Sequence, residues 1–185
     1  ANIIRGTSKQ DLLYGTAQDD DIFALGGHDV LSGGAGNDRL YGDDGHDTLD
    51  GGAGNDRFVG GAGHDDIRDL VNESNGDVDT LDYTAETRAV YVNLAAGEAD
   101  VAQNGGHDRI GFSSTGSSVI ENVEGGSGAD IIIGDKDNNT LFGNNGNDSL
   151  DGAGGNDTLS GGNGNDTVNG GLGSDLSIGD AGNDV

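Results

Sequence analysis

Gly33-Gly34-Ala35-Gly36-Asn37-Asp38-Arg39-Leu40-Tyr41 decides the fold, because the same nine-residue pattern returns almost unchanged at Gly51-Gly52-Ala53-Gly54-Asn55-Asp56-Arg57-Phe58-Val59. Outward from this pair, aspartates recur at constant spacing as Asp11, Asp20, Asp29, Asp38, Asp47, Asp56 and Asp65. Two residues after each comes an apolar side chain: Leu13, Ile22, Leu31, Leu40, Leu49, Phe58 and Ile67. A second series opens at Gly125, with Asp130, Asn139, Asp148, Asp157, Asp166, Asp175 and Asp184. Its apolar residues are Ile132, Leu141, Leu150, Leu159 and Val168, and Ser177 interrupts them. A fixed short period of this kind marks a solenoid, whose units bury their apolar faces only against their neighbours.

The residue types say what each unit is. Glycines supply a turn in which φ can be positive and the backbone can approach a bound ion. The three residues around the apolar position form a very short strand with one side chain pointing inward. Successive repeats run in opposite directions, so two of them, eighteen residues, complete a coil and every second turn stacks on the same edge. One edge of the first array then holds Asp11, Asp29, Asp47 and Asp65, and the other Asp20, Asp38 and Asp56. In the second array the columns are Asp130, Asp148, Asp166, Asp184 and Asn139, Asp157, Asp175.

Stacked strands lie about 4.8 Å apart. At that distance, vertical neighbours repel by roughly 3 to 4 kcal/mol for an effective dielectric near 20. Composition repeats the problem on the scale of the chain. Among 185 residues there are 34 acidic and 8 basic side chains, a formal net charge of −26, 38 glycines, and only 31% hydrophobic residues. Without counter-charge such a chain is expected to stay disordered. Nucleic acid and anionic membranes call for basic patches, and the few Lys and Arg are scattered, so neither is an expected partner. No apolar run is long enough to span a bilayer, and with no cysteine there is no disulfide, thiolate metal site or thiol catalysis.

Cations are the natural partner. Ca²⁺ accepts six to eight hard oxygens from carboxylates and carbonyls in flexible geometry, whereas Mg²⁺ demands a stricter octahedron and Zn²⁺ prefers His or Cys. The expected side-chain ligands are Asp11, Asp20, Asp29, Asp38, Asp47, Asp56, Asp65, Asp130, Asp148, Asp157, Asp166, Asp175 and Asp184. Expected carbonyl ligands are Gly34, Gly36, Gly52, Gly54, Gly61, Gly63, Gly126, Gly128, Gly162 and Gly164. One ion per gap between vertical neighbours gives up to about ten Ca²⁺, enough to offset most of the charge. The gap between Asn139 and Asp157 lacks one carboxylate.

The pattern G-G-x-G-x-D-x-U-x resembles the RTX (repeats-in-toxin, hemolysin-type) calcium-binding nonapeptide, over residues 6 to 68 and 125 to 185. That resemblance implies an all-β, right-handed parallel β-roll with Ca²⁺ between stacked glycine-rich turns. It also implies a module of a secreted protein that leaves the cell unfolded by one-step (type I) export and folds on meeting external calcium. Two other settings are open: an assembling unit of a surface layer, fibre or adhesin, and the non-catalytic tail of a serralysin-like protease, lipase or alginate epimerase.

Residues 69 to 124 break the period, and Asp65 to Asp130 spans seven repeats plus two residues, so the arrays are out of phase. The expected division is a first array over 1–68, degenerate spacer rungs with looped-out turns over 69–115, and a second array over 116–185. Pattern remnants persist at Asp79-Thr80-Leu81-Asp82-Tyr83, at Gly105-Gly106-His107-Asp108-Arg109-Ile110 and over Gly116 to Glu124. Ala89-Val90-Tyr91-Val92-Asn93-Leu94 alternates as a half-buried strand should. Tyr83, Tyr91 and Phe112 are expected in the spine, with a surface for self-association or another partner as the rival reading. His28, His46, His64 and His107 each precede a motif Asp and are expected to face water.

No H-E-x-x-H, G-x-S-x-G or G-x-x-x-x-G-K motif occurs, and no enzymatic activity is expected. Asp135-Lys136-Asp137-Asn138-Asn139 begins like an EF-hand loop, but Thr140 and Gly146 stand where its Gly and Glu belong. Asn2 and Ile4 match the Asp and apolar positions of a preceding repeat, so the roll is expected to continue beyond this chain.

Overall fold

The computed structural model describes residues 1–69, 77–102, 107–112, 116 and 118–185. The Gly105-Gly106 half of one pattern remnant and residues 113–115 and 117 near another lie outside the described residues. The described residues contain strands and turns and no helix, hence none long and apolar enough to cross a membrane. Parallel strands stack as a β-solenoid of about nine turns.

One wall has nine parallel strands in the order Asn2–Arg5, Asp20–Phe23, Arg39–Tyr41, Arg57–Val59, Thr80–Asp82, Asn122–Glu124, Thr140–Phe142, Thr158–Asn163 and Leu176–Ala181. The facing wall runs Leu12–Tyr14, Val30–Ala35, Thr48–Ala53, Asp66–Arg68, Asp108–Ile110, Glu98–Val101, Val90–Asn93, Ile131–Ile133, Ser149–Asp151 and Thr167–Asn169. Within each array the register advances by one coil, as in Ile22↔Leu40 and Leu40↔Phe58 on one wall and Leu31↔Leu49 and Leu150↔Val168 on the other. A two-residue pleat turns every apolar position of a wall the same way. Ile22, Leu31, Leu40, Leu49, Phe58, Ile67, Leu81, Val123, Ile132, Leu141 and Leu159 are all fully buried between the walls. At the last rung Ser177 pairs with Leu159, and there the spine ends.

The middle of the chain departs from a simple roll. On the first wall Leu81 pairs with Phe58 and with Val123, so the ladder passes straight through. On the facing wall one regular strand is replaced by three. Val90–Asn93 pairs parallel with Ile131–Ile133 ahead of it, and the chain then turns back. Glu98–Val101 pairs antiparallel with Val90–Asn93, and Asp108–Ile110 antiparallel with Glu98–Val101 and parallel with Asp66–Arg68. The alternating stretch read from the sequence is therefore a strand, but it leads a hairpin, which the parallel period gave no reason to expect. Val90, Val92, Leu94, Ala99, Val101, Ile110, Val119 and Ile120 thicken the core here. Tyr83 is buried, Tyr91 is half-buried, and Phe112, expected in the spine, is 49% exposed. Arg57 clasps this region from outside. Its Nε donates to Asp82 at 2.6 Å and its two terminal nitrogens donate to Glu124 at 3.0 and 2.5 Å, which ties three successive rungs of one wall.

Close stacking explains the turn glycines. Gly164 has φ of 151°, and a Cβ there would overlap the Gly146 carbonyl oxygen one coil below. Gly154 has no such neighbour, the nearest atom lying 3.8 Å from where a Cβ would stand. Overpacking and a forced positive φ each cost about 1–3 kcal/mol. Gly164→Ala is therefore expected to destabilise the folded chain by about 2–4 kcal/mol and Gly154→Ala by less than about 1 kcal/mol, read as shifts in the thermal unfolding midpoint; equal shifts would contradict the stacking.

Candidate metal centre

The aspartates stand at the start of each short strand, where the turn hands over to the wall. Each uses one carboxylate oxygen to accept a backbone N–H from the aspartate one coil earlier. Asp38 Oδ1 accepts from Asp20 N at 2.7 Å and Asp56 Oδ1 from Asp38 N at 2.7 Å. On the other edge Asp29, Asp47 and Asp65 accept from Asp11, Asp29 and Asp47 at 2.7, 2.7 and 2.9 Å. In the second array Asp148, Asp166 and Asp184 accept from Asp130, Asp148 and Asp166, and Asp157 and Asp175 from Asn139 and Asp157. The bonds align the carboxylates into two columns, with the same membership on each edge as the nine-residue period assigns.

The columns also hold residues that the sequence reading did not assign as ligands. Asp79 accepts from Asp56 N at 2.8 Å, and Glu121 accepts from Asp79 N at 2.8 Å. Asp108 accepts from Asp65 N at 2.9 Å. Their signal was present in the D-x-U remnants at Asp79 and Asp108, but gaps of 23 and 43 residues hide the vertical partner.

The second carboxylate oxygen is what makes the columns chemically active. Oδ2 of Asp29, Asp38, Asp47, Asp56, Asp65, Asp148, Asp157 and Asp166 is buried without a hydrogen-bond partner. A buried carboxylate oxygen left unpaired carries a large desolvation cost. Beside it lies room bounded by backbone oxygen. A Cβ on Gly143 would stand 2.5 Å from Asp148 Oδ2 and 2.6 Å from the Gly161 carbonyl oxygen, and one on Gly152 2.5 Å from both Asp157 Oδ2 and the Gly170 carbonyl oxygen. The first glycine of each repeat thus keeps open a cradle between a carboxylate and the carbonyl of the next coil.

The ten glycines singled out from the sequence occupy the second and fourth turn positions. Gly34, Gly36, Gly52, Gly54, Gly61, Gly63, Gly162 and Gly164 all have positive φ, and the carbonyls of Gly34 and Gly36 point toward Gly52 and Gly54 of the next coil. Gly126 and Gly128 differ, since their turn packs on the backbone of Glu86 and Arg88 in the spacer. Asp11, Asp175 and Asp184, at the ends of the columns, are only partly buried.

Electrostatics shows what the columns lack. Burial, reinforced by neighbouring carboxylates, raises Asp38, Asp47 and Asp148 to about 6, Asp56 and Asp108 to about 7, and Asp79 to about 8. Burial likewise pushes Asp65, Asp130 and Asp157 up. Asp20 goes the other way, because hydrogen bonds from Thr16 and Asn2 outweigh its burial. Among the described residues no three His, Cys, Asp or Glu side chains converge on one point. The donor set is therefore paired carboxylates completed by carbonyls, all hard oxygen, which fits Ca²⁺ and gives Zn²⁺ nothing it prefers.

The histidines proved more ordered than the sequence suggested. The rings of His28, His46 and His64 stack at 4.9 and 5.0 Å, and Nδ1 of each accepts the backbone N–H of the next histidine, His107 included, at 2.9 to 3.0 Å. Asn37, Asn147, Asn156 and Asn165 do the same with Oδ1. At these rungs the turn position aims an acceptor along the stack, whereas Ala129, at the same position before Asp130, offers none.

Among known families, the one described as RTX calcium-binding nonapeptide repeat (4 copies) matches residues 1–31, 32–67, 115–150, 124–159 and 151–185. No curated protein matches the chain. The matched segments leave out much of the hairpin-bearing spacer and take in both arrays of stacked aspartates, so the chain belongs to the RTX calcium-binding nonapeptide repeat family.

Proposed function

We propose that this chain is a calcium-triggered folding module of a secreted protein, with the two aspartate columns as the calcium ligands and the turn carbonyls completing each sphere. One observation carries the reading: eight buried carboxylate oxygens have no partner within the protein, and all lie on the columns. A structure that buries so many acceptors at a net charge of −26 needs a cation to be stable. Binding free energy then serves as folding free energy. In low cytosolic calcium the chain stays extended and passes an export channel unfolded; in calcium-rich surroundings it folds and is held outside the cell. The family's association with secreted proteins supports this setting.

Circular dichroism during a calcium titration tests the trigger. The chain in chelator is expected to lack β signal and to gain it cooperatively with calcium, and a fully folded chain in chelator would refute the proposal. Asp38→Ala and Asp56→Ala are expected to raise the calcium midpoint roughly tenfold, about 1.4 kcal/mol. Asp21→Ala, which removes an outward-facing carboxylate paired with Arg39, should shift it less than about twofold.

Protons and calcium compete for the same carboxylates. Because folding raises these groups above their ordinary 3.8, the metal-free roll binds protons that the unfolded chain does not. The stability so gained is complete below the ordinary value and disappears as pH rises through about 6 to 8. Lowering the pH from about 8 to 5 in chelator should therefore increase the β signal, while saturating calcium should hold it constant over that range. A metal-free chain that lost structure on acidification in this window would contradict the burial of the columns.

A further inference from the structure

The first array does not end as its inner rungs do. In an inner rung, such as that of Asp47, the space beside Oδ2 is bounded by the first glycine of its own repeat, Gly42, and by the carbonyl of the next first glycine, Gly60. At the following gap, between Asp65 and Asp108, the register puts Tyr83 where that next glycine belongs, because Leu81 pairs with Phe58. The Tyr83 carbonyl is turned aside and accepts from Glu86 N at 2.8 Å. A Cβ on Gly60 would stand 2.8 Å from Asp65 Oδ2 and 3.4 Å from Asp108 Oδ2, so two carboxylates face one space while its carbonyl is missing.

The Tyr83 side chain enters that region. It is 4% exposed; its hydroxyl, like Asp65 Oδ2, meets no partner in good hydrogen-bonding geometry, yet it stands close enough to Asp108 to stabilise that carboxylate. Burial first, and the Asp108 and Asp65 carboxylates next, hold the phenol protonated well above its ordinary value. Above Asp108 the column is cut by the antiparallel strand Glu98–Val101, and hydrogen bonding along that edge resumes only where Asp130 accepts from Val90 N at 2.8 Å.

We propose that Asp65, Asp108 and the phenolic oxygen of Tyr83 form a terminal Ca²⁺ site, distinct from the glycine-cradled ones, that closes one ion column at the spacer. A neutral hydroxyl oxygen replaces the absent carbonyl as a hard donor without adding charge to the pair. The site rests on calcium being the ion of the columns, as read above.

Calcium binding to the full chain, counted by equilibrium dialysis and followed by calorimetry, tests it. Tyr83→Phe keeps the ring and removes only the oxygen. It is expected to lose one bound calcium per chain, or to weaken one at least tenfold, while the calcium-induced β signal remains. Asp108→Asn is expected to affect the same ion, and the double variant to lose no second one. An unchanged ion count and affinity in Tyr83→Phe would overturn the proposal and leave the phenol as a space-filling plug. No calcium uptake by the unmodified chain would instead overturn the calcium reading as a whole.

Discussion

The structure depends on one constraint: carboxylates repeated at the spacing of stacked β-strands. That spacing is set by backbone hydrogen bonding and cannot be relaxed without breaking the walls. Each aspartate answers with a division of labour. Oδ1 takes the N–H of the aspartate one coil earlier, which fixes the side chain, and Oδ2 is then held in the interior with its charge unmet. The hydrogen bond that builds the column is thus also what exposes its need for a cation. In an ordinary core these orphaned oxygens would be faults; here they recur in register along both columns.

The rest of the architecture follows from giving the ion room. Glycine leads each repeat because a side chain there would fill the cradle between carboxylate and carbonyl, and glycine recurs in the turn because carbonyls point directly at the coil above. What remains for apolar burial is one side chain per strand. Leu40 facing across to Leu31 and Leu49 gives a spine whose stacking specifies register well, since a one-residue slip would turn every Leu and Ile outward. A spine that thin specifies shape but adds little burial against the backbone entropy of so many glycines.

Much of this was legible in the sequence. The nine-residue period alone placed Ile22 above Ile4 and below Leu40, and sorted the aspartates by edge, because both are consequences of counting. Counting failed where the chain interrupts itself. Val90–Asn93 could be read as a strand from its alternation, but alternation is the same for parallel and antiparallel pairing, so the return through Glu98–Val101 left no mark. Asp79 and Asp108 kept their local D-x-U pattern yet lost their address, since their vertical partners Asp56 and Asp65 are separated from them by insertions. The histidines face water, as the sequence leads one to expect, but their stacking could not be read from it. A position filled by Asn elsewhere reads as a polar surface site, and only the stack shows that its side chain accepts from the next coil, which imidazole does through Nδ1.

The spacer reconciles two arrays that do not share a phase. A two-residue offset cannot be absorbed inside a roll of fixed coil length, because it would carry the one apolar position of each three-residue strand into the turn and break both columns. The chain solves this on one wall by keeping a single ladder, Phe58 to Leu81 to Val123, and on the other by laying in three strands where one would serve. The extra pair of strands adds about 10 Å to that wall and interrupts only one of the two carboxylate columns. The other column continues from Asp56 through Asp79 to Glu121 on the unbroken wall. Arg57, bridging Asp82 and Glu124 on that same wall, neutralises the outward acids just where the chain detours. The two arrays are therefore joined mechanically by one continuous ladder, while the break in the carboxylate columns is confined to the edge where Tyr83 replaces a glycine.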